Sequence, residues 1–464
     1  MKVSVISLGC KVNQAEGEDI LAGFRNAGSV AARRGETSDV TVINTCTVTG
    51  EADRKSRKLI RKVVNKAATC GGFVIVTGCY AETDEEKLRQ IPGVNLVVKQ
   101  SEKDKLVRTV LREVASSPDR SVGVLAMTES PDSCSAFDND GITRLGITGR
   151  NDGITRPLRD SDNTVSEDSR PISRSRAYLK IQDGCDNRCA YCIVPAARGR
   201  SRSIPPPAVA AKAEKLAAAG IKEIVLTGIN IGKYPDLPGF IDRLLKTPNL
   251  ARLRLSSIEP EDVTLELVGL LGEGNSSLDL RSRNLRNAAS CLTKSYLCPH
   301  LHIPLQSGDD AILREMGRTY TSEEYAALVK RVRDACPGIA ITTDVIVGLP
   351  GETEERFKNT IRFLEEVRPA RLHVFKYSKR PGTPAATRKD QVPEKVKAER
   401  SEAVRGLGEK LAAEYRRESI GRELDVLVER ASGNRMKGTS ENYLSVSFDG
   451  ESREVGRIVR VKLA

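Results

Sequence analysis

Short apolar runs alternate with stretches of helical period along residues 1–115: KVSVISLG precedes a helix over 13–27, DVTVINTC one over 51–68, GFVIVTGC one over 82–90 and NLVVKQ one over 101–114. Strand and helix in strict turn predict a parallel α/β domain of four strands, since parallel neighbours need a crossover between them. From 116 to 175 the pattern dissolves into Ser, Asp, Gly and Arg, and the hexamer NDGITR occurs at 139–144 and again at 151–156. With so few large apolar residues the stretch cannot offset its own ordering entropy, which predicts a flexible linker. Two copies of a hexamer make a local duplication, not a solenoid.

Alternation resumes at 176 with six strands: AYLKIQDG, EIVLTG, RLRLSSIEP, HLHIPLQSG, AITTDVIVGLPG and RLHVFKYS. Helices over 208–219, 238–247, 261–272, 309–335 and 352–368 separate most of them. Six consecutive units predict an open, partial (β/α)6 barrel within 176–400, in place of a closed eight-unit one. The polar stretch 272–290 interrupts the pattern and reads as an inserted surface loop. A charged helix over 392–418 and three short alternating runs, ELDVLVER, YLSVSF and REVGRIVRVKLA, predict that residues 401–464 comprise a helix and a small β-barrel.

A chain of 464 residues fits about three such domains. It opens without a signal-peptide pattern and has no run approaching the roughly 18 apolar residues of a membrane span, so a soluble, cytoplasmic protein without membrane contact is expected. In that reducing compartment eleven cysteines, an odd number, point to metal ligation before disulfides. The net charge of +12 and a pI near 9.1 allow a polyanionic partner but are equally a solvated basic surface.

Cys185, Cys189 and Cys192 stand as CDNRCAYC directly after the first barrel strand, at the strand ends where such barrels carry their active sites. Three thiolates within eight residues suit a soft metal centre. Their spacing wraps three irons of a cubane and leaves the fourth open to a ligand. A zinc site completed by His300 or His302, or a chance group of buried cysteines, are the alternatives. Cys10, Cys46 and Cys79 end the runs VISLGC, VINTCT and IVTGCY. A parallel sheet gathers its strand ends on one edge, so these three thiols converge on a second site unless small buried residues end the strands by accident. Cys70, Cys134, Cys291, Cys298 and Cys336 are taken as structural or incidental.

CxxxCxxC at the end of a first strand, with Tyr191 before the last cysteine, resembles the radical S-adenosylmethionine superfamily. The resemblance implies that Cys185, Cys189 and Cys192 hold a 4Fe–4S cluster whose free iron is chelated by the methionine amino and carboxylate groups. Reductive cleavage of the sulfonium would then give a hydrogen-abstracting 5′-deoxyadenosyl radical. Together with Cys10, Cys46 and Cys79, the blocks SLGCKVNQAEGE, NTCTVTGEADRKSRKLIRK, TGCYAE, RLSSIEP, HLHIPLQSG, TTDVIVGLPGETEE and FKYSKRPGTPAA resemble the radical S-adenosylmethionine methylthiotransferases over nearly the whole chain, apart from the linker and the insert. That implies a second 4Fe–4S cluster, on Cys10, Cys46 and Cys79, whose free iron carries the sulfur inserted at an unactivated C–H bond. Arg188 and Ala196 depart from the aromatic residues usual at their places.

The superfamily likeness suggests cofactor contacts at the barrel mouth, from Tyr191, from Thr227, Gly228 and Asn230 of TGINIG, and from Ser257, Glu259, Gln306 and Val345. NTCTVTGEADRKSRK, SSIEP and FKYSKRPGTPAA resemble the branch acting on threonylcarbamoyl-adenosine, which implies 2-methylthiolation of N6-threonylcarbamoyladenosine at position 37 of tRNA. Isopentenyl-adenosine in tRNA and a ribosomal-protein aspartate are rival substrates; a non-catalytic RNA-binding iron–sulfur protein is the rival class. The last domain resembles the TRAM domain, an RNA-binding β-barrel, with Arg435 and Lys437 in a turn and Tyr443 as a stacking face or a core residue. Six Lys or Arg between 54 and 62 are a solvated helix face or a phosphate patch, and Arg198, Arg200 and Arg202 follow the cluster motif where a phosphate backbone could be gripped. The expected partners are tRNA, a flavodoxin- or ferredoxin-like electron donor and a sulfur donor, with the enzyme a monomer.

Overall fold

Every residue of the run Val40–Thr45 is buried, as a central strand covered by helices on both faces requires. The computed structural model describes residues 1–33, 36–116, 175–272 and 295–464. Its first unit runs β1 (Lys2–Ser7), α1 (Lys11–Asn26), β2 (Val30–Ala31), β3 (Val40–Thr45), α2 (Gly50–Cys70), β4 (Phe73–Gly78), α3 (Cys79–Thr83), α4 (Glu85–Arg89), β5 (Leu96–Val97) and α5 (Leu106–Ala115). The sheet order is β2-β1-β3-β4-β5, all parallel. The four expected strands are present. The fifth, β2, is a two-residue edge too short to leave a periodic signal. The helix expected over 82–90 is broken at Asp84, whose backbone leaves the helical region at φ −146°. On α2 the buried residues Asp53, Ser56, Ile60, Val64 and Ala67 recur every three or four positions, which turns Arg54, Lys55, Lys58, Arg61 and Lys62 to solvent.

The second unit comprises β6 (Arg176–Lys180), β7 (Gln182–Asp183), α6 (Val194–Arg198), β8 (Arg202–Ser203), α7 (Pro206–Ala218), β9 (Glu223–Thr227), α8 (Leu237–Leu244), β10 (Arg252–Leu255), β11 (Tyr296–Leu297), β12 (His300–His302), α9 (Asp310–Glu315), α10 (Ser322–Ala335), β13 (Ala340–Val347), α11 (Glu354–Val367) and β14 (Arg371–Lys376). Its parallel strands form the orders β11-β10-β9-β6 and β12-β13-β14, joined where Ser257 bridges His302. The six long strands thus make the open, partial barrel that the sequence pattern predicts. The helix expected over 309–335 is two helices. Between them Gly317 adopts φ +74°, and a Cβ there would press on the carbonyl oxygen of Arg188 in the cysteine loop.

After α12 (Glu394–Glu418), strands β15 (Glu423–Ser432), β16 (Arg435–Ser440), β17 (Ser445–Asp449) and β18 (Ile458–Lys462) form the antiparallel sheet β17-β16-β15-β18. This sheet closes the floor of the barrel. Arg252 and Arg254, both without solvent exposure, share the carboxylate of Glu223. Their remaining N–H groups donate to the carbonyls of Asp425 (2.6 Å), Thr439 (3.0 Å), Ser440 (3.0 Å) and Glu441 (2.9 Å). Buried guanidinium groups are tolerable only when each donor is met in this way. The expected linker, the doubled hexamer, the insert, Cys134 and Cys291 lie outside the described residues. Among the described residues no helix is long and apolar enough to cross a membrane.

Burial beneath the terminal sheet, then repulsion from Asp425, raises the Glu441 carboxyl from 4.5 to about 7, against the pull of Arg252. The folded protein therefore binds more protons than the unfolded chain between these values, and stability falls as pH rises through that window. Glu441→Gln should raise the thermal midpoint at pH 8, by up to about 3 kcal/mol of stability, and matter progressively less toward pH 5. An equal effect at both pH values would remove the ionisation from this account.

Candidate metal centres

Cys10, Cys46 and Cys79 follow the ends of β1, β3 and β4 on one edge of the first sheet. The residue before Cys10 is Gly9, at φ +89°, and a Cβ there would run into Cys46. The residue before Cys79 is Gly78, at φ +99°, where a Cβ would meet the Thr45 carbonyl. Glycine at both places is what lets the loops close on one another. Asn13 ties them further, its side-chain amide donating to the carbonyls of Leu8 (2.8 Å) and Thr45 (2.9 Å). Burial, with additions from Cys10 and Cys79, pushes the Cys46 thiol up to about 12, and burial raises Cys79 as well. Two buried thiols that resist ionisation, Cys46 and Cys79, together with the half-buried Cys10 are a donor set that a cationic centre would stabilise as thiolates.

Cys185, Cys189 and Cys192 lie on the loop between β7 and α6. Gly184, at φ +71°, lets this loop cross the Arg200 carbonyl, and the Cys185 N–H donates to the Gly199 carbonyl at 3.1 Å. Ala190 is held on both sides, donating to the Met316 carbonyl and accepting from the Ala385 N–H, each at 2.9 Å. Burial pushes the Cys192 thiol up to about 12, with Cys189 and Cys185 adding to it. Arg318, in the break between α9 and α10, donates to Cys189 Sγ at 3.3 Å and pairs with Glu259. At the ends of β9 and β10, both polar side-chain atoms of Asn230 and the Ser256 hydroxyl are buried without a hydrogen-bond partner among the described residues. Orphaned polar atoms at the same strand-end edge as the cysteine loop fit a polar cofactor at this mouth. His300 and His302, the candidate completions of a zinc site, engage Thr342 instead, at 3.1 and 2.9 Å.

The Radical SAM superfamily model matches residues 179–364, and that of the uncharacterized protein family UPF0004 matches residues 2–99. The threonylcarbamoyladenosine tRNA methylthiotransferase MtaB of Bacillus subtilis is 38% identical over 99% of this chain and 93% of its own length. The chain belongs to the MtaB-type radical S-adenosylmethionine methylthiotransferases. MtaB of Thermotoga maritima is 33% identical over 99% of this chain and 94% of its own, and so is the tRNA-2-methylthio-N(6)-dimethylallyladenosine synthase of Erythrobacter litoralis. A solved structure of the radical S-adenosylmethionine methyltransferase TsrM from Kitasatospora setae shares the fold, with a TM-score of 0.53 at 16% identity over 83% of this chain and 77% of that one. As a member of its family this methylthiotransferase uses S-adenosylmethionine and a 4Fe–4S cluster.

Several sequence expectations for this methylthiotransferase change. Arg198 is not a phosphate contact. It is 4% exposed, and its guanidinium donates to Glu16 (2.9 Å), Asp183 (2.8 Å), Cys79 Sγ (3.2 Å) and Asn13. Lys103 and Lys180 complete the network on Glu16, at 2.7 and 3.0 Å, and hold its carboxyl well below the usual range against its burial. Val345 offers no side chain to the mouth, since it is fully buried in the core on the sheet's other face. In TGINIG the N–H groups of Ile229 and Asn230 are spent on Gln182 Oε1, at 2.9 and 2.8 Å, and Gly228 makes room for that side chain. Thr227 is buried, and its carbonyl accepts from Ile181. Gln306, at φ +68°, pairs with β13 through its backbone, and Ser257 is half-buried. Tyr191, within the cysteine loop, packs against the apolar cluster of Ile312, Met316, Leu349, Tyr377 and Ala385.

Arg200 and Arg202 have exposed side chains, 93% and 55%, and pair with Asp186 at 3.3 Å and Asp183 at 3.0 Å. Arg435 and Lys437 are also exposed, but on β16, not in a turn. The Tyr443 ring stacks on His300 at 4.1 Å, so one face is already used. Cys298 and Cys336 are buried and Cys70 is exposed. Sequence reasoning missed Glu16, Asp183, Ser256 and Arg318; only the Gly–Arg pair at 317–318 hinted at a break that could aim a cation. Arg198→Met should strand Glu16 and Asp183 without their buried partner and cost about 3–5 kcal/mol. Urea denaturation would show it, while Arg200→Ala should leave the midpoint in place.

Proposed function

We propose that this methylthiotransferase converts N6-threonylcarbamoyladenosine at position 37 of tRNA to its 2-methylthio derivative, using two 4Fe–4S clusters. The observation that carries the substrate is the 38% identity, over 99% of the chain, with an enzyme named for that nucleoside. The similarity to a dimethylallyladenosine synthase, at 33%, favours isopentenyl-adenosine as the second reading. Cys185, Cys189 and Cys192 would hold the cluster that binds S-adenosylmethionine, and Cys10, Cys46 and Cys79 the second. When bound, these groups supply the one-electron chemistry that opens an unactivated C–H bond and the sulfur that replaces the hydrogen.

The chain's own contribution is placement and charge. Arg318 places a cation against Cys189 while Glu259 balances it, and Arg198 does the same for Cys79 from a helix that begins just after Cys192. Asn230 and Ser256 supply unspent polar atoms for the methionine or ribose groups of the cofactor. Arg200, Arg202, Arg435 and Lys437 are exposed cations suited to tRNA phosphates. A flavodoxin- or ferredoxin-like protein would deliver the electron.

Mass spectrometry of tRNA nucleosides from a strain lacking this gene tests the activity: the 2-methylthio derivative should be missing and return on complementation. Anaerobically reconstituted protein should hold about eight irons and the triple variant Cys10→Ala, Cys46→Ala, Cys79→Ala about half, with Cys70→Ala at the full count. An undiminished count in the triple variant would refute the second cluster. Changing Arg200, Arg202, Arg435 and Lys437 together to Ala should weaken tRNA binding and flatten its salt dependence, because each lost phosphate contact releases fewer counterions.

A further inference from the structure

Below the radical-cluster loop the inner face of the barrel is polar, where such barrels are ordinarily filled with branched apolar side chains. Along β13, Ile341, Val345 and Val347 join the apolar core on the outer face, which leaves Thr342, Asp344 and Ile346 on the inner one. Ile346 packs against the same small apolar cluster, of Ile312, Met316, Leu349, Tyr377 and Ala385, as Ala190 and Tyr191 of the cysteine loop. Asp344 is one inward step below it, roughly 7 Å. On β14, Phe375 is in register with Ile346 and His373 with Asp344. Phe375 is 40% exposed, and the side chains of His373 and Asp344 are 38% and 25% exposed. Exposure of that order at mid-strand positions on the inside of a barrel marks an open recess. At its lower end Arg371, Arg176 and Tyr443 line a cavity of about 490 Å³ between α1, the barrel and the terminal sheet.

The hydrogen bonds in the recess have a direction. Asp344 Oδ1 lies 3.2 Å from both His302 Nε2 and His373 Nδ1. A carboxylate only accepts, so both imidazoles donate to it, and in the neutral form of each ring the other nitrogen is an acceptor. His302 then accepts through Nδ1 from the Thr342 hydroxyl at 2.9 Å, which in turn accepts from His300 Nε2 at 3.1 Å. His373 is left with Nε2 as an acceptor, beside the second carboxylate oxygen. All three histidines of the chain are thus used to set the acceptor character of one spot.

We propose that His373 and Asp344, fixed by His302 and Thr342, form the subsite that receives the N6 substituent of the substrate adenosine and accepts hydrogen bonds from its ureido N–H groups, with the Arg371 cation next along the strand for its carboxylate. The inference rests on position-37 adenosine being the substrate. C2 and the N6 substituent flank the same N1 edge of adenine. A base laid against Phe375 with C2 toward the cluster loop therefore carries its substituent down the recess. An aliphatic substituent would leave the imidazole and carboxylate unpaired, the kind of mismatch by which sites built for hydrogen bonding reject apolar analogues. The donor atoms of His302, Asp344 and His373 also lie within 4.8 Å of one another, so a divalent cation is the rival occupant. Both nitrogens of His302 are already engaged, and this favours the organic ligand.

The test uses the full-length, anaerobically reconstituted enzyme and anticodon stem–loops carrying N6-threonylcarbamoyl- or N6-isopentenyl-adenosine. The wild type should favour the first. His373→Phe and Asp344→Asn should lower methylthio product per 5′-deoxyadenosine released, and the preference between the two stem–loops, by at least about tenfold each. If either variant fails to retain its iron, Arg371→Ala, at an exposed position, carries the comparison with the same expected loss of preference. Wild-type preference persisting in iron-replete variants would overturn the subsite alone. A wild type that favours the isopentenyl stem–loop would overturn the substrate as well. Stoichiometric zinc in the wild type that Asp344→Asn loses would replace the subsite by a metal site.

Discussion

The guanidinium of Arg198 sits out of water among Glu16, Asp183, Asn13 and the sulfur of Cys79, and a charge so placed is stable only while every partner is present. Its partners come from three places: α1 of the first sheet, the strand that leads into the CDNRCAYC loop, and the start of α3. The two cysteine sets are therefore fixed in relation to each other by a network that cannot be half-made. A second buried tie acts in the same sense, with Arg380 donating to Asp53 at 2.7 Å and to Thr47 at 2.6 Å. It docks the loop after β14 on the loop after Cys46. On the proposal that both sets hold clusters, transfer between them depends on a held separation, and buried charge pairs whose rupture is costly are a means of holding it.

The terminal sheet belongs to the same construction. Without it, Arg252 and Arg254 would lose four carbonyl acceptors between them while remaining paired to a single carboxylate. It is thus the floor of the barrel as well as a carrier of exposed cations on β16. Tyr443, which in isolation could serve as a stacking platform for a base, spends one face on His300 and lies near the Arg254 guanidinium at 5.2 Å. The recess between cluster loop and floor is consequently bounded by all three parts of the chain.

What the sequence made legible was whatever depends on local order. Strand and helix alternate with clear periods, so the sheets and the cysteines at their ends could be placed, and GC after a strand marks the glycine that permits the close approach of Cys10 or Cys79. What it hid depends on partners distant in the chain. RGRSRS looks like three equivalent surface arginines, yet Glu16 and Asn13, more than 180 positions away, remove the first of them from solvent. Arg318 was concealed by an apparently continuous helix, because a break of six residues, 316–321, barely disturbs the apolar period. Val345 was assigned to the mouth from its strand, but strand parity sends it to the other face, and parity is lost with an error of one residue.

The net charge of +12 therefore divides into two populations with different work. Arg198, Arg252 and Arg254 are buried and spent on internal partners, Arg198 on Glu16 and Asp183 and the other two on the shared Glu223 carboxylate and four backbone carbonyls. Arg54, Lys55, Arg200, Arg202 and Arg435, each within 4.0 Å of a carboxylate, and Lys437 have exposed side chains, where a polyanion of any sequence can compete for them. An attraction of that kind cannot tell one modified adenosine from another, since all tRNA backbones carry the same phosphates. Discrimination has to come from a place that the base alone enters and where a wrong substituent leaves polar groups unmet. Within the barrel, the stretch from Phe375 to Arg371 joins an exposed ring, two oriented acceptors and a cation along one strand face and its neighbour, close beneath the cysteine loop. On the proposed assignment, attraction by the surface and selection by the recess are separate properties, carried by different residues and open to independent change.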